Sequence, residues 1–182
     1  MTAAAGNPVV VVMGVSGSGK SSFGAALADA LHARFLDADD LHPPVNRRKM
    51  AAGIALDDAD RQPWLDAVAI WMAKRSEQGE PGVVACSALR RRYRDRLRAS
   101  GGEVRFVYLR VPEAELRRRM EHRMHFMPPA LLRSQLDTLE DPSGEPDVLT
   151  LDGTRPLADS VAHTMAWLDM GKPSGELSAH PR

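Results

Sequence analysis

Cysteine is nearly absent from this chain: Cys86 is the single one among 182 residues, which excludes an intrachain disulfide framework and suits a reducing compartment. An excess of charge of one sign is missing as well. Lys and Arg number 24 and Asp and Glu 24, so no global basic field points to nucleic acid and no acidic field repels anionic ligands. Any electrostatic attraction has to be local. No apolar run approaches membrane-spanning length, and no charged segment followed by a long apolar stretch opens the chain. The expectation is a cytoplasmic protein that uses neither a membrane nor a nucleic acid as partner. Zinc-site spacing, internal repeats and a domain linker are also lacking. With 43% hydrophobic and 26% charged residues, the length suits one domain over 1–170. Residues 171–182, holding two prolines and few apolar residues, are expected to form a disordered tail.

What is present in full is Gly14-Val15-Ser16-Gly17-Ser18-Gly19-Lys20-Ser21, which fits the phosphate-binding pattern G-x-x-x-x-G-K-[ST] at every fixed position. Glycines let successive backbone N–H groups curl around an anion, and the following helix points its positive dipole end at the same phosphates. Lys20 is expected to reach the β- and γ-phosphates, and the Ser21 hydroxyl to hold Mg²⁺. The flanks agree. Val9 to Met13 reads as a buried parallel strand, and Phe23, Leu27 and Leu31 recur at helical spacing.

Further short apolar strands alternate with helical patterns, the mark of an α/β fold with a parallel sheet. Expected strands are Arg34 to Asp37, Val83 to Cys86, Val104 to Leu109 and Val148 to Leu151. Trp64, Val68 and Trp71 share a helical face after Pro63, which suits a first-turn position, and Gly79 is placed to end that helix. An Arg-rich helix begins near Arg90 and stops at Gly101-Gly102. Pro112 precedes another helix, carrying Leu116 and Met120, and a last one carries Leu157, Val161, Met165 and Leu168.

Beyond the second strand comes Leu36-Asp37-Ala38-Asp39-Asp40-Leu41-His42-Pro43. Ligands of open parallel sheets bind past the carboxyl ends of the strands, so Asp37 and Asp39 fall near the phosphate loop. One carboxylate suits the water shell of Mg²⁺ and the other an acceptor hydroxyl. Cys86 sits in an apolar run and reads as an inert buried thiol.

These segments, with Asn46 to Gly53, Leu56 to Leu65, Cys86-Ser87-Ala88-Leu89, Tyr93-Arg94-Asp95, His125-Phe126-Met127 and Ser134-Gln135-Leu136, resemble the gluconokinase family in content and order from about Pro8 to about Leu168. The resemblance implies ATP-dependent phosphorylation of D-gluconate at its 6-hydroxyl. It also implies a three-layer P-loop kinase fold, with a five-stranded parallel sheet, a helical substrate-binding insertion and a mobile lid at about 122–130. A homodimer is common in the family.

By the same resemblance, the nucleotide is bound by Gly14, Val15, Ser16, Gly17, Ser18, Gly19, Lys20, Ser21 and Ser22, together with Arg155 in the loop Asp152 to Pro156. Lys20 and Asp39 are catalytic, the carboxylate orienting the acceptor hydroxyl and taking its proton. Ser21 and Asp37 hold Mg²⁺, partly through water. The acceptor meets Asp39, His42, Lys49, Arg61, Ser87, Arg90 and His125, with Lys49 and Arg61 the cations expected for its carboxylate. One departure stands out. Met124 stands where a Gly usually precedes His-Phe, or one residue is deleted there, which leaves Arg119 and Arg123 as rivals for the catalytic lid cation.

A kinase for another small acceptor, such as shikimate, is the alternative, against which the Leu-His-Pro and Cys-Ser-Ala-Leu segments count. A regulatory nucleotide-binding module is a third. No Asn-Lys-x-Asp motif for guanine occurs, and no Asp ends the third strand.

Overall fold

The computed structural model describes residues 7–122 and 128–170. The first strand, β1 (Val9–Met13), is buried along its whole length, as expected for a strand covered on both faces. The phosphate loop leads into α1 (Lys20–Leu31), which returns to β2 (Arg34–Asp37). A short 3₁₀ turn over Ala38–Leu41 and helix α2 (Pro44–Ala51) follow, then the long α3 (Asp58–Glu77) and β3 (Gly82–Ala85). The chain continues through α4 (Arg91–Arg98), β4 (Val104–Arg110), α5 (Glu113–Glu121), α6 (Pro129–Thr138), β5 (Val148–Asp152) and α7 (Leu157–Met170).

The five strands form one sheet in the order β2-β3-β1-β4-β5, every pairing parallel. Side chains of a strand alternate between faces, and the two cores follow that period. Val9, Val11 and Met13 pack with Trp64, Val68, Met72 and Leu97 from α3 and α4. Val10 and Val12 pack with Phe23, Leu27 and Leu168 from α1 and α7. Each such buried side chain contributes about 1.5 to 3 kcal/mol by transfer, an upper figure because unfolded chains already hide some apolar surface. With β1 flanked by β3 and β4, the crevice at the carboxyl ends of these strands is where an open α/β sheet receives ligands.

Pro63 does not open its helix. The helix starts five residues earlier, at Asp58, because Asp57 caps it: the Asp57 side chain accepts the Asp60 N–H, and the Asp60 side chain accepts the Asp57 N–H. That reciprocal cap supplies orphan donors with partners and outweighs the preference of proline for the first turn. Gly79 does stop the helix, with φ of 65°. The third strand ends at Ala85, one residue before Cys86. Helix α6, which the apolar pattern did not single out, begins after Pro128 and packs Leu132 against Val15 and Leu116. Arg123, His125 and most of the segment expected to be a lid lie outside the described residues, as does 171–182. No helix among the described residues is long and apolar enough to cross a membrane.

Candidate active site

The phosphate loop owes its shape to residues that tolerate left-handed backbone. Gly19, at φ of 93°, is the N-cap of α1, so the loop turns directly into a helix N-terminus at Lys20. Gly14 is needed for room as well: a Cβ there would stand 2.7 Å from Ser18 Oγ and 3.0 Å from the Leu109 carbonyl oxygen. Lys20 Nζ donates to the Val15 carbonyl at 3.0 Å, which folds the ammonium back over the loop. Ser22, next on α1, is exposed.

Two carboxylates meet this loop from the end of β2. Asp37 Oδ2 accepts the Ser21 hydroxyl at 2.5 Å, and its other oxygen accepts the Asp39 N–H at 3.1 Å. A hydroxyl and a carboxylate side by side form a hard-oxygen donor pair at the start of α1. Among the described residues no group of three or more His, Cys, Asp or Glu is placed to hold a metal by itself. The pair therefore suits a cation that keeps water or phosphate oxygens as its other ligands.

Asp39 faces a cavity whose polar lining includes Ser16, Lys20, His42, Arg61, Ser87 and Gln135. Burial, joined by the charges of Asp37 and Asp40, raises its carboxyl above the ordinary Asp range, and Lys20 and Arg47 oppose the rise. The cavity's apolar lining includes Met50, Ile54, Leu56, Leu89 and Leu131. Ile54 is 53% exposed, so it stands at the mouth, whereas Leu56, Leu89 and Leu131 are buried.

Of the two cations expected for an acceptor carboxylate, the structure puts Arg61 on the cavity and Lys49 off it. Arg61 Nη1 donates to Tyr93 Oη at 3.2 Å, and its guanidinium lies 5.6 Å from the centre of that ring. Lys49 Nζ is held at 2.7 and 2.8 Å by both carboxylate oxygens of Asp60, the residue that also completes the α3 cap. Its place is set by that ion pair.

Ser87 lies just past β3, and its carbonyl accepts the Gly14 N–H at 3.4 Å. Ala88 follows with φ of 46°, a left-handed conformation that costs an alanine energy and has to be held. Arg94, fully buried, holds it: Nη1 donates to the Ala88 carbonyl at 2.9 Å and to the Leu89 carbonyl at 3.1 Å. Its remaining donors go to Glu145 and the Glu140 carbonyl. Arg90 is the N-cap of α4 and is not among the cavity residues, and its Nε is buried with no hydrogen-bond partner among the described residues. Cys86 is buried, which pushes its thiol up to about 12 and makes it a poor nucleophile.

Arg119 is the one of the two rival lid arginines that is described. Its guanidinium reaches the Gly17 carbonyl at 3.3 Å, the Ser18 carbonyl at 3.4 Å and the Gly153 carbonyl at 2.8 Å, while Glu115 accepts from Nε. It thus bridges the phosphate loop and the Asp152 to Pro156 turn. Arg155 is exposed within that turn, its N–H donating to the Asp152 carbonyl at 3.2 Å.

Several cavity residues had no role in the sequence reading. Gln135 on α6 accepts the Ser16 N–H at 2.7 Å, so the helix after the lid segment is tied to the phosphate loop. Trp64 stacks on His42, with ring centroids 4.2 Å apart. Neither contact has a local sequence signal.

Residues 9–142 match a family model described as an AAA domain. The chain is 40% identical to the thermoresistant gluconokinase of Escherichia coli over 166 residues, 90% of this chain and 95% of that protein. The crystal structure of a gluconokinase from Sinorhizobium meliloti 1021 superimposes with a TM-score of 0.82 at 52% identity, covering 90% of this chain and 92% of that one. Shikimate kinase from Aquifex aeolicus shares the fold, with a TM-score of 0.59 at 15% identity, covering 90% of this chain and 99% of that one. A phosphate loop opening into α1, an acidic turn after β2 and a cation-bearing cavity beside them agree with these likenesses, and the chain belongs to the gluconokinase family of ATP-using P-loop kinases.

Proposed function

We propose that this protein transfers the γ-phosphoryl group of ATP directly to the 6-hydroxyl of D-gluconate, giving 6-phospho-D-gluconate and ADP. The observation that carries the reading is the single cavity on which Lys20, Asp39 and Arg61 converge. Phosphoryl transfer is mostly positioning and charge stabilisation, and each of the three residues supplies a part. The loop N–H groups and Lys20 receive the phosphates. Asp39 accepts the hydrogen bond of the attacking hydroxyl and takes its proton as transfer proceeds; its raised affinity for protons suits that task. Arg61 pairs with the acceptor carboxylate, and His42, Ser87 and His125 complete the acceptor contacts, whereas Arg90, off the cavity, is left out of them. Lys49 acts from one layer back, by holding Asp60 at the start of the helix that carries Arg61. Arg119, which reaches the phosphate loop from α5, and Arg123 are the cations for the transferring group.

Ser21 and Asp37 fit Mg²⁺, which when bound to the nucleotide neutralises phosphate charge. The single, unpaired thiol supports a cytoplasmic enzyme, and a homodimer is the assembly proposed. A coupled assay of ADP release, run with gluconate, glucose, shikimate, nucleoside monophosphates and no acceptor, tests the reading. Turnover with gluconate alone is expected; turnover with another acceptor alone, or equal turnover without one, contradicts it.

A further inference from the structure

Asn46 and His42 are buried polar residues beside Asp39, and their hydrogen bonds determine where the imidazole carries its proton. Asn46 Nδ2 lies 2.8 Å from the Asp60 carbonyl oxygen. A carbonyl oxygen only accepts, so the Asn46 atom there is the amide nitrogen. The same nitrogen lies 3.4 Å from His42 Nδ1. An N–H facing that ring nitrogen requires a lone pair on it, which leaves the proton of a neutral imidazole on Nε2. The ring is kept neutral: burial, with Arg47 and Arg61 nearby, pushes His42 down to about 4. Its plane is fixed by the stack on Trp64, whose own Nε1 donates to the Ala38 carbonyl at 2.7 Å. Its backbone is fixed by Arg47, which donates to the His42 carbonyl at 3.1 Å.

His42 Nε2 then faces Asp39, 3.9 Å from Oδ1, with both residues on the cavity wall. This separation is too long for a direct hydrogen bond. It does suit one oxygen seated between them, at ordinary hydrogen-bond distance from each. A carboxylate oxygen accepts and an Nε2–H donates, so the group that satisfies both is a hydroxyl, which donates to one and accepts from the other. We propose that Asn46 is a positioning residue that locks His42 as the Nε2–H tautomer, and that His42 Nε2–H and Asp39 Oδ1 together form a two-point seat for one hydroxyl of the polyol acceptor. This deepens the gluconate reading and rests on it for the identity of the acceptor. The tautomer follows from the chain alone.

Long-range ¹H–¹⁵N correlation spectra of the ligand-free protein, labelled with ¹⁵N-histidine and with His42 assigned by its loss in His42→Gln, test the first half. The expected pattern at neutral pH is that of a neutral ring protonated on Nε2. A ring protonated on Nδ1, or charged at neutral pH, overturns the proposal whatever the enzyme phosphorylates. Kinetics test the second half. His42→Phe keeps an aromatic stack on Trp64 and removes the donor, so kcat/KM for gluconate should fall about tenfold or more while the KM for ATP stays within twofold, a size in keeping with one lost neutral hydrogen bond. Asn46→Asp places an acceptor against Nδ1 and should move the proton there in the same spectra, with a comparable loss. Parental gluconate kinetics in folded His42→Phe would overturn the seat. Parental enzyme inactive on gluconate would instead sink the substrate reading and leave the tautomer result standing.

Discussion

Gln135 Oε1 accepts the Ser16 N–H at 2.7 Å, across 119 residues of sequence, so a side chain of α6 occupies a backbone donor of the phosphate loop. The same helix contributes Leu131, Ser134 and Gln135 to the cavity proposed for the acceptor. The phosphate loop and this cavity therefore share a wall. Gln135→Glu places a carboxylate where the phosphates of ATP approach. Like charges held close in a site cost on the order of a kcal/mol or more, so the KM for ATP should rise about tenfold, most at low ionic strength. Isothermal titration with a non-hydrolysable ATP analogue, at two salt concentrations, checks this. Equal affinity in mutant and parent would place Gln135 away from the phosphates.

Lys20→Ala should fold normally and lose nearly all transfer. Removing a charge aimed at the transferring phosphoryl commonly costs on the order of 3 kcal/mol, about a hundredfold or more in kcat. The ammonium contacts the Val15 carbonyl at the surface of the loop and anchors no core, so the thermal midpoint should stay within a few degrees. Steady-state rates paired with a melting curve separate the two effects. A mutant within a fewfold of parent would contradict the phosphate-loop assignment.

Arg61 and Lys49 should now behave differently. A charge-assisted hydrogen bond to a carboxylate contributes roughly 1.5 to 3 kcal/mol, so Arg61→Ala should weaken gluconate use by about tenfold to a hundredfold. Lys49→Ala removes the partner of Asp60 rather than a cavity cation, and its effect on gluconate KM should be the smaller. Gluconate and ATP varied separately for both variants decide it. A larger gluconate defect in Lys49→Ala would return that lysine to the acceptor.

Much of this site was legible because its causes are local. The phosphate loop is one contiguous pattern, and Asp39 falls beside it because ligand crevices lie past the carboxyl ends of parallel strands. Pro63 misled because proline preference is weaker than the Asp57 and Asp60 cap, which the eye reaches only by reading back five residues. Lys49 and Arg61 were indistinguishable by type, and the loop between α2 and α3, by bringing Asp60 to Lys49, separates them. The contacts of Gln135 and Arg119 to the phosphate loop span more than 100 residues, beyond any periodicity. His42 and Asn46 are four apart but straddle the start of α2, so no helical face marks them as a pair.

Acid should loosen the loop that carries Ser87. Burial works against ionisation of Glu145, but Arg94 and Arg98 outweigh it and hold the carboxyl below the usual Glu range. A depressed acid contributes stability that is complete above its unfolded value, near 4.3, and is lost as pH falls through the folded one. Glu145→Gln should therefore flatten the decline of stability below about pH 4.5. Arg94→Leu leaves the Glu145 carboxylate with Arg98 as its remaining partner and frees the Ala88 turn, so it should cost about 3 kcal/mol at neutral pH. Urea unfolding from pH 3 to 7 checks both. An unchanged acid limb in Glu145→Gln would mean that the pair does not govern it.

Direct transfer to the terminal hydroxyl of gluconate is tested most closely by identifying the product bond. The protein, ATP, Mg²⁺ and gluconate are incubated, and proton–phosphorus correlation spectra of the product are recorded. Phosphorus coupled to the two methylene protons of C6, with ADP formed in equal amount, is the result predicted. Phosphorus coupled to a methine proton, or ADP accompanied by inorganic phosphate alone, would contradict it.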